Sequence, residues 1–310
     1  MPLSSQVHRS AALENISVAF KTGGLIAAEL SPMVPVLHET DVYHVYSRDS
    51  LILPETARAN GAEANRASWS ISTSTYTLEE HALKDLVTDR DRRNADPAIK
   101  LDIDLTEYLT EKILMRQEVD LATLVGTAAN WANTTSLSTT QAWSQNTTLS
   151  SPLGNADSAA SVITQNSGKK PNVCAMDDRT FRAAKEHTST VQRIMYTSAQ
   201  SVTPDLLASL FGVERVLVAS GIQNTGAEGL SETMAFIWTD MAFFAYVERS
   251  PGLKKPSALY TFTQAEGGMP YKVTQWREDS LDGDMVQVSK LFQNRAVASA
   301  CAYQIVNTVQ

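Results

Sequence analysis

The sequence predicts an α+β fold, on three observations. A long helix-periodic run occupies 104–131, two strand-like runs around a polar tip occupy 41–80, and short helices and strands alternate through about 155–255 before the chain ends in more strands. In the first stretch Leu105, Leu109, Ile113, Leu121, Leu124 and Ala128 recur at spacings that share one stripe of a helix. Asp104 with Glu107 has the form of a capping box, with Asp in place of Ser or Thr. No Gly or Pro interrupts the run before Gly126. Such a helix spans roughly 40 Å, longer than the core of an ordinary domain. Glu107, Glu111, Lys112, Arg116, Glu118 and Asp120 occupy its other faces and point to a side that meets solvent or another subunit.

Bulk composition narrows the class. A chain of 310 residues holds one large domain or two ordinary ones, and 43% hydrophobic with 19% charged residues describes a folded globule. The net charge of −8 argues against a surface that grips nucleic acid through clustered Lys and Arg, and suits one that lies near DNA without sticking to it. Cys174 and Cys301 lie far apart in apolar runs, the pattern of buried reduced thiols in a protein assembled inside a cell. The first residues carry no apolar core behind a basic start, so no secretory signal is expected. No run approaches the ~18 apolar residues of a membrane span. The Asn-X-Ser/Thr triplets at Asn15, Asn133 and Asn146 are then chance matches.

Residues 1–40 do not read as a domain. Ile16, Val18 and Phe20 alternate, Gly23 and Gly24 break the pattern, and Leu25, Ile26, Ala27, Ala28 and Leu30 make a short helical turn stopped by Pro32 and Pro35. Two readings stand side by side: an arm laid along another surface, and an N-terminal strand packed on its own domain. In 41–80, Tyr43 and Val45 oppose His44 and Tyr46, and Trp69, Ile71, Thr73 and Thr75 oppose serines, around a polar tip with Pro54 and Gly61. A lone two-stranded ribbon is marginal in water, so it must lie on its own chain or on a neighbouring subunit. Beyond it, Asp89, Arg90, Asp91, Arg92 and Arg93 alternate in sign, which favours ion-pair networks over phosphate binding.

After the long helix, the Ser/Thr/Asn-rich stretch 133–157 reads as a loop. The module that follows has a helix at 156–166, a buried strand at 171–176 and a helix at 178–186. Next come a helix with Thr203 as N-cap, Pro204 at its first position and Gly212 at its end, and strands at 213–220, 233–238 and 242–247. Strands at 271–277, 285–292 and 296–309 are expected to pack with the long helix, which makes the module an insertion.

Chemistry is hard to place. His8, His38, His44, His81 and His187 are scattered singly, with no HExxH and no CxxC. Glu79, Glu80 and His81 read as a solvated charged turn rather than a metal site. Asp279, Asp282 and Asp284 resemble a calcium loop without its terminal Glu, so a tight Asp-Gly turn is expected. Gly226–Gly229 lies in a polar loop and reads as a flexible tip. There is no GxSxG, P-loop or GxGxxG opening a helix, and no catalytic residue, cofactor or metal is predicted.

The order of parts resembles the major capsid proteins of tailed bacteriophages with the HK97-type fold. Three stretches also look like phage coat proteins: Thr77-Leu-Glu-Glu-His-Ala82, Asp89-Arg-Asp-Arg-Arg-Asn-Ala-Asp96, and Leu206-Leu-Ala-Ser-Leu-Phe-Gly-Val-Glu-Arg-Val-Leu-Val218. The resemblance implies an N-terminal arm at 1–40 and an extended β-hairpin, the E-loop, at 41–80. A peripheral P domain at 81–150 would carry the spine helix 104–131. An inserted α/β A domain would occupy 151–262, with closing P-domain strands at 263–310.

It further implies a structural protein that self-assembles into pentamers and hexamers of an icosahedral shell around double-stranded DNA, bound without sequence specificity. The shell would form in the host bacterial cytoplasm, with a portal protein as partner. The hairpin begins after only about forty residues, so a separate scaffolding protein, or none, is expected. Residues 41–80 contain no lysine, the nearest being Lys84, which speaks against the Lys–Asn crosslink of some relatives. Non-covalent contacts, with or without a cement protein, would hold the shell. The inter-subunit contact candidates are Tyr43, Tyr46, Arg48, Arg58, Arg66 and Trp69 of the hairpin, with Arg90, Arg92 and Arg93 facing acids such as Glu278, Asp279 and Asp282 of the closing strands or of a neighbour. The rival readings are an oligomeric α/β enzyme with a β-arm for subunit exchange, which predicts polar residues converging in a pocket of the module, and a surface-array or tail-tube protein.

Overall fold

The computed structural model of the chain describes residues 8–9, 24–46, 52–58, 60–61, 63–66, 71–94, 100–195, 202–226, 233–252, 255–264 and 270–310. Its first elements are β1 (His8–Arg9), α1 (Ala27–Leu30) and β2 (Met33–Pro35). Ile16, Val18 and Phe20 of the arm lie outside the described residues. The segment from 24 packs on its own chain, where Leu30 and Ile26 are buried.

β3 (Thr40–Tyr46) and β4 (Ile71–Thr77) form the expected ribbon. β5 (Glu79–Thr88) corrects one expectation: Glu79, Glu80 and His81 lie in a strand paired along its whole length with a later one, not in a turn. An edge strand tolerates such charges because one side of it meets water. α2 (Asp89–Asn94) carries the alternating charges.

α3 (Leu101–Gly126) is the long helix, and it corrects the expected limits of 104–131. Asp104 is not its cap; it lies with Asp102 in the first turn, where the positive end of the helix dipole favours carboxylates. The helix stops at Gly126 because side chains take its last carbonyls. Asn130 Nδ2 donates to Leu124 O, Trp131 Nε1 to Val125 O, and Gln304 Nε2 to both Val125 O and Gly126 O. Residues 128–130 form a 3₁₀ turn.

β6 (Thr134–Ser136) and two 3₁₀ turns then replace the expected loop, and they bury Trp143. α4 (Pro152–Ser167) is capped by Ser151. β7 (Val173–Asp177) ends in the cap of α5 (Asp178–Glu186), and α6 (Thr188–Ile194) follows. α7 (Pro204–Phe211) has the expected Thr203 cap and ends at Gly212, whose φ of 68° suits glycine. β8 (Arg215–Ala219), β9 (Ile222–Asn224), β10 (Met234–Phe236), β11 (Met241–Ala245), β12 (Leu259–Thr263), β13 (Lys272–Glu278), β14 (Gly283–Ala296) and β15 (Ala302–Val306) complete the chain.

Two sheets organise these elements. One has the order β1-β13-β14-β12-β2 with β5 also on β14; the other is β6-β15-β11-β7-β8. Three further corrections follow. β15 sits between β6 and β11 in the second sheet, not with β13 and β14. β12 belongs to the first sheet although it falls within 151–262. β10 pairs with β9 alone. The Asp-Gly turn between β13 and β14 forms as expected, with Asp282 left-handed at φ 47°.

Burial explains the layout. The amino half of α3 lies on the first sheet, Leu109 and Ile113 against Val273, Val286 and Val288. Its carboxyl half lies on the second, Leu121 and Val125 with Phe243 and Leu30. The opposite face of that second sheet is covered by α4 and α7, whose Ile163, Leu207 and Phe211 meet Met176 and Phe244. Strands covered on both faces are apolar along most of their length, and β7 and β11 are buried at every residue, the terminal Asp177 of β7 included.

At Gly283 a Cβ would stand 2.7 Å from Val87 O and 3.0 Å from Thr88 Cα. Backbone cannot yield there, so Gly283→Ala is expected to cost on the order of 1–3 kcal/mol in chemical denaturation; a stability within error of the native chain would contradict that close approach.

Candidate assembly surface

The ribbon is built by register. Asp41 faces Tyr76, Tyr43 faces Ser74 and Val45 faces Ser72; the alternate pairs are Val42 with Thr75, His44 with Thr73 and Tyr46 with Ile71. Alternation sends the two sets to opposite faces. The first face turns inward at the base: Tyr76 stacks on Phe262 at 4.6 Å, and the Tyr43 ring lies 5.4 Å from it. Tyr76 and Leu78 are buried there with Tyr260 and Phe262. Thr77 N donates to Gln293 Oε1 and Arg295 Nη2 to Thr75 O, which pins only the end of the ribbon nearest the sheet. The other face is open, with Val42 49% and Ile71 45% exposed. The described tip is exposed throughout, Leu53 at 87%.

Of the residues expected at this surface, Arg58 and Arg66 lie on the exposed tip, and Tyr46 ends β3 opposite Ile71. Tyr43 packs inward on Phe262 of the same chain. Arg48 and Trp69 lie outside the described residues. On α2, Arg90 and Arg93 are exposed. Arg92 is half-buried and bound within the chain, to Asp102 at 2.6 Å and to Asp284. These two carboxylates raise its pKa. Beside it Arg277 clamps Asp89 through two bonds of 2.7 and 2.8 Å and lowers that carboxyl's pKa. Within the chain, the acids that answer Arg92 are Asp102 and, from the closing strands, Asp284.

Two residues that the pattern placed with the solvent, or passed over, are central. Glu118 is fully buried; it accepts from Ile26 N at 3.0 Å, Ala27 N at 2.7 Å and Trp238 Nε1 at 2.6 Å. Desolvation raises its pKa, against these three donors. Lys290, buried in β14, donates to Gln117 Oε1 at 2.5 Å and lies over the rings of Tyr271 and Phe292 at 4.8 and 5.3 Å. Burial pushes it down to about 7. A signal existed for Lys290 and its partner Gln117. The apolar stripe of α3 skips from Ile113 to Leu121 with Gln117 where an apolar residue is due, and Lys290 shares the strand face of Val286 and Val288.

The module has a cleft of about 350 Å³ lined by Ser151, Asp157, Ser189 and Arg193, among others. The nearby His187 lies 2.8 Å from Ser189 Oγ and 3.1 Å from Ser150 Oγ. Its Nδ1 also accepts from Ser189 N, so the imidazole is the N-cap of α6. Among the described residues no three of His, Cys, Asp and Glu gather as metal ligands, and no helix is long and apolar enough to cross a membrane.

A long helix bridging a closing sheet and an inserted α/β module, with an extended ribbon ahead of it, is the HK97-type capsid fold. A phage-related protein from Bordetella bronchiseptica RB50 superposes with a TM-score of 0.79 at 21% identity, over 97% of this chain and 98% of that one. The capsid structure of Cyanophage P-SCSP1u gives 0.60 at 11% identity, over 89% and 86%. In sequence, the chain is similar to the proteins named major capsid protein of Burkholderia phage BcepMu (24% identical over 299 residues, 94% of each chain) and of Pseudomonas phage JBD67 (28% over 243 residues, 76% of each). No protein-family model matches it.

Lys290 supplies a pH test of the buried joint. With a folded pKa of about 7 and an ordinary value near ~10 when unfolded, the unfolded chain binds more protons between those values, so stability rises with pH across that window. The difference in denaturation midpoint between the native chain and Lys290→Met is expected to shift in favour of the native chain as pH climbs from 7 to 10; a constant difference would show the amine to be ordinary.

Proposed function

We propose that this chain is a structural major capsid protein, whose copies join by non-covalent contacts into the pentamers and hexamers of an icosahedral shell enclosing phage DNA. The observation that carries the reading is the ribbon, anchored at its base and exposing Val42 and Ile71 among threonines on the face it offers to solvent. Its complement is the first sheet of a neighbouring copy. Permanent assemblies of this kind bury thousands of Å².

In this reading, residues 1–40 are the arm and 41–80 the E-loop. The first sheet and α3 form the P domain. The second sheet, from α4 through β11 with β6 and β15 added, forms the A domain around the capsomer axes. The role of the chain is mechanical rather than catalytic, and its place is the virion, assembled in the bacterial cytoplasm. A separate scaffolding protein, a portal protein and a decoration protein are the partners such a shell would use. Because 41–80 has no lysine, the ribbon supplies no amine for a Lys–Asn bond. Arg90 and Arg93, exposed on α2, are the charges left to set register against a neighbour, since Arg92 is held internally.

The test is Val42→Asp with Ile71→Asp. Both side chains are half-exposed, so the variant is expected to keep the native melting curve yet yield no closed shells by negative stain and sedimentation. Normal-sized shells from the double variant would overturn the proposal.

A further inference from the structure

A second ribbon, β9 with β10, has its faces reversed. Ile222 pairs with Phe236, Gln223 with Ala235 and Asn224 with Met234. Alternation therefore puts Ile222, Asn224, Met234 and Phe236 on one face and Gln223 and Ala235 on the other. A ribbon lying on its own domain turns the apolar face inward. Here Ile222 is 47% and Met234 57% exposed, while Phe236 on the same face and Gln223 and Ala235 on the other are half-buried. Ile237 N donating to Gly221 O at 3.0 Å extends the ribbon's own ladder, and Ser220 N donating to Gly24 O at 3.2 Å ties its base to the N-terminal segment. Phe236 is covered on one side by the Arg179 guanidinium, 5.7 Å from the ring centre.

Area and charge indicate what covers this step. Three side chains present on the order of 200 Å², far below the ~800 Å² per partner of a stable separate complex, so the step fits one station of a larger contact. The charges around it are paired at home, Arg179 with Asp240 at 3.1 Å and Arg215 with Glu29 at 3.4 Å, and Asn224 Oδ1 is held by Gly226 N and Thr233 N. Among the described residues there, no unpaired charge draws a polyanion or a polycation.

We infer that Ile222, Met234 and Phe236 form a contact through which the module of one copy packs on a second copy of this chain. The inference rests on the shell reading and specifies which element of the module makes its neighbour contact.

The experiment compares the full native chain, Ile222→Asp/Met234→Asp, and the control Leu149→Asp, which alters another exposed apolar residue of the module. The native chain and the control are expected to form shells, and the double variant to remain dispersed with a native circular dichroism spectrum. Native-sized shells from the double variant overturn the contact and leave the shell reading standing. A native chain that stays monomeric overturns both. Should the double variant misfold, peroxide oxidation of Met234 in the native protein decides: assembly is expected to slow it about tenfold, and equal rates in dispersed and assembled protein overturn the contact.

Discussion

Gln117 and Glu118 stand side by side on α3 and, about 100° apart around the helix, reach different parts of the molecule. Gln117 takes the Lys290 amine of β14, and its carbonyl accepts from Asn294 Nδ2. Glu118 takes two backbone N–H groups of the N-terminal segment and the Trp238 indole beside the second sheet. The helix changes partners here, from the first sheet to the second. Buried polar groups are costly to leave unpaired, so few alternative rotations of the helix keep the Gln117 Oε1 and the Glu118 carboxylate engaged at once, although Gln117 Nε2 is itself left without a partner among the described residues. Apolar contact supplies the bulk of the adhesion, and this pair sets the angle at which the two sheets are held.

That rigid frame makes sense of two ribbons the frame does not cover. The long one packs Tyr43 and Tyr76 at its base and leaves Val42 and Ile71 in water; the short one leaves Ile222 and Met234 exposed. One projects ahead of the first sheet and the other from the module. A chain meant to remain alone would be expected to cover such surfaces or charge them. A chain similar to phage major capsid proteins has a use for both, one for each half of the subunit.

Local signals in the sequence translated directly. Thr203, Pro204 and Gly212 bound α7, because caps and stops act within a few residues. The ribbon was legible from alternation alone. Long-range pairing was not: nothing local tells Ala302–Val306 to join β11 instead of β13, or Glu79–Thr88 to pair with β14 despite its charges. The helix overran its true end because Ala128 fits the stripe, while the capping by Asn130, Trp131 and Gln304 depends on the fold. At the candidate surface, residue type was a weaker guide than position. Tyr43 and Arg92 have the chemistry of contact residues and are engaged within the chain, whereas Ile222 falls in the loop expected between two strands and Met234 inside the second of them.

Amide hydrogen exchange across Thr40–Tyr46 and Ile71–Thr77, in dispersed and in assembled protein, addresses the claim most directly that the ribbon is completed by another copy. A ribbon held only at its base opens easily, so its amides are expected to exchange at least ~100-fold faster in dispersed subunits than in shells. Equal and strong protection in both states would mean that the chain completes its own ribbon, and that assembly does not depend on it.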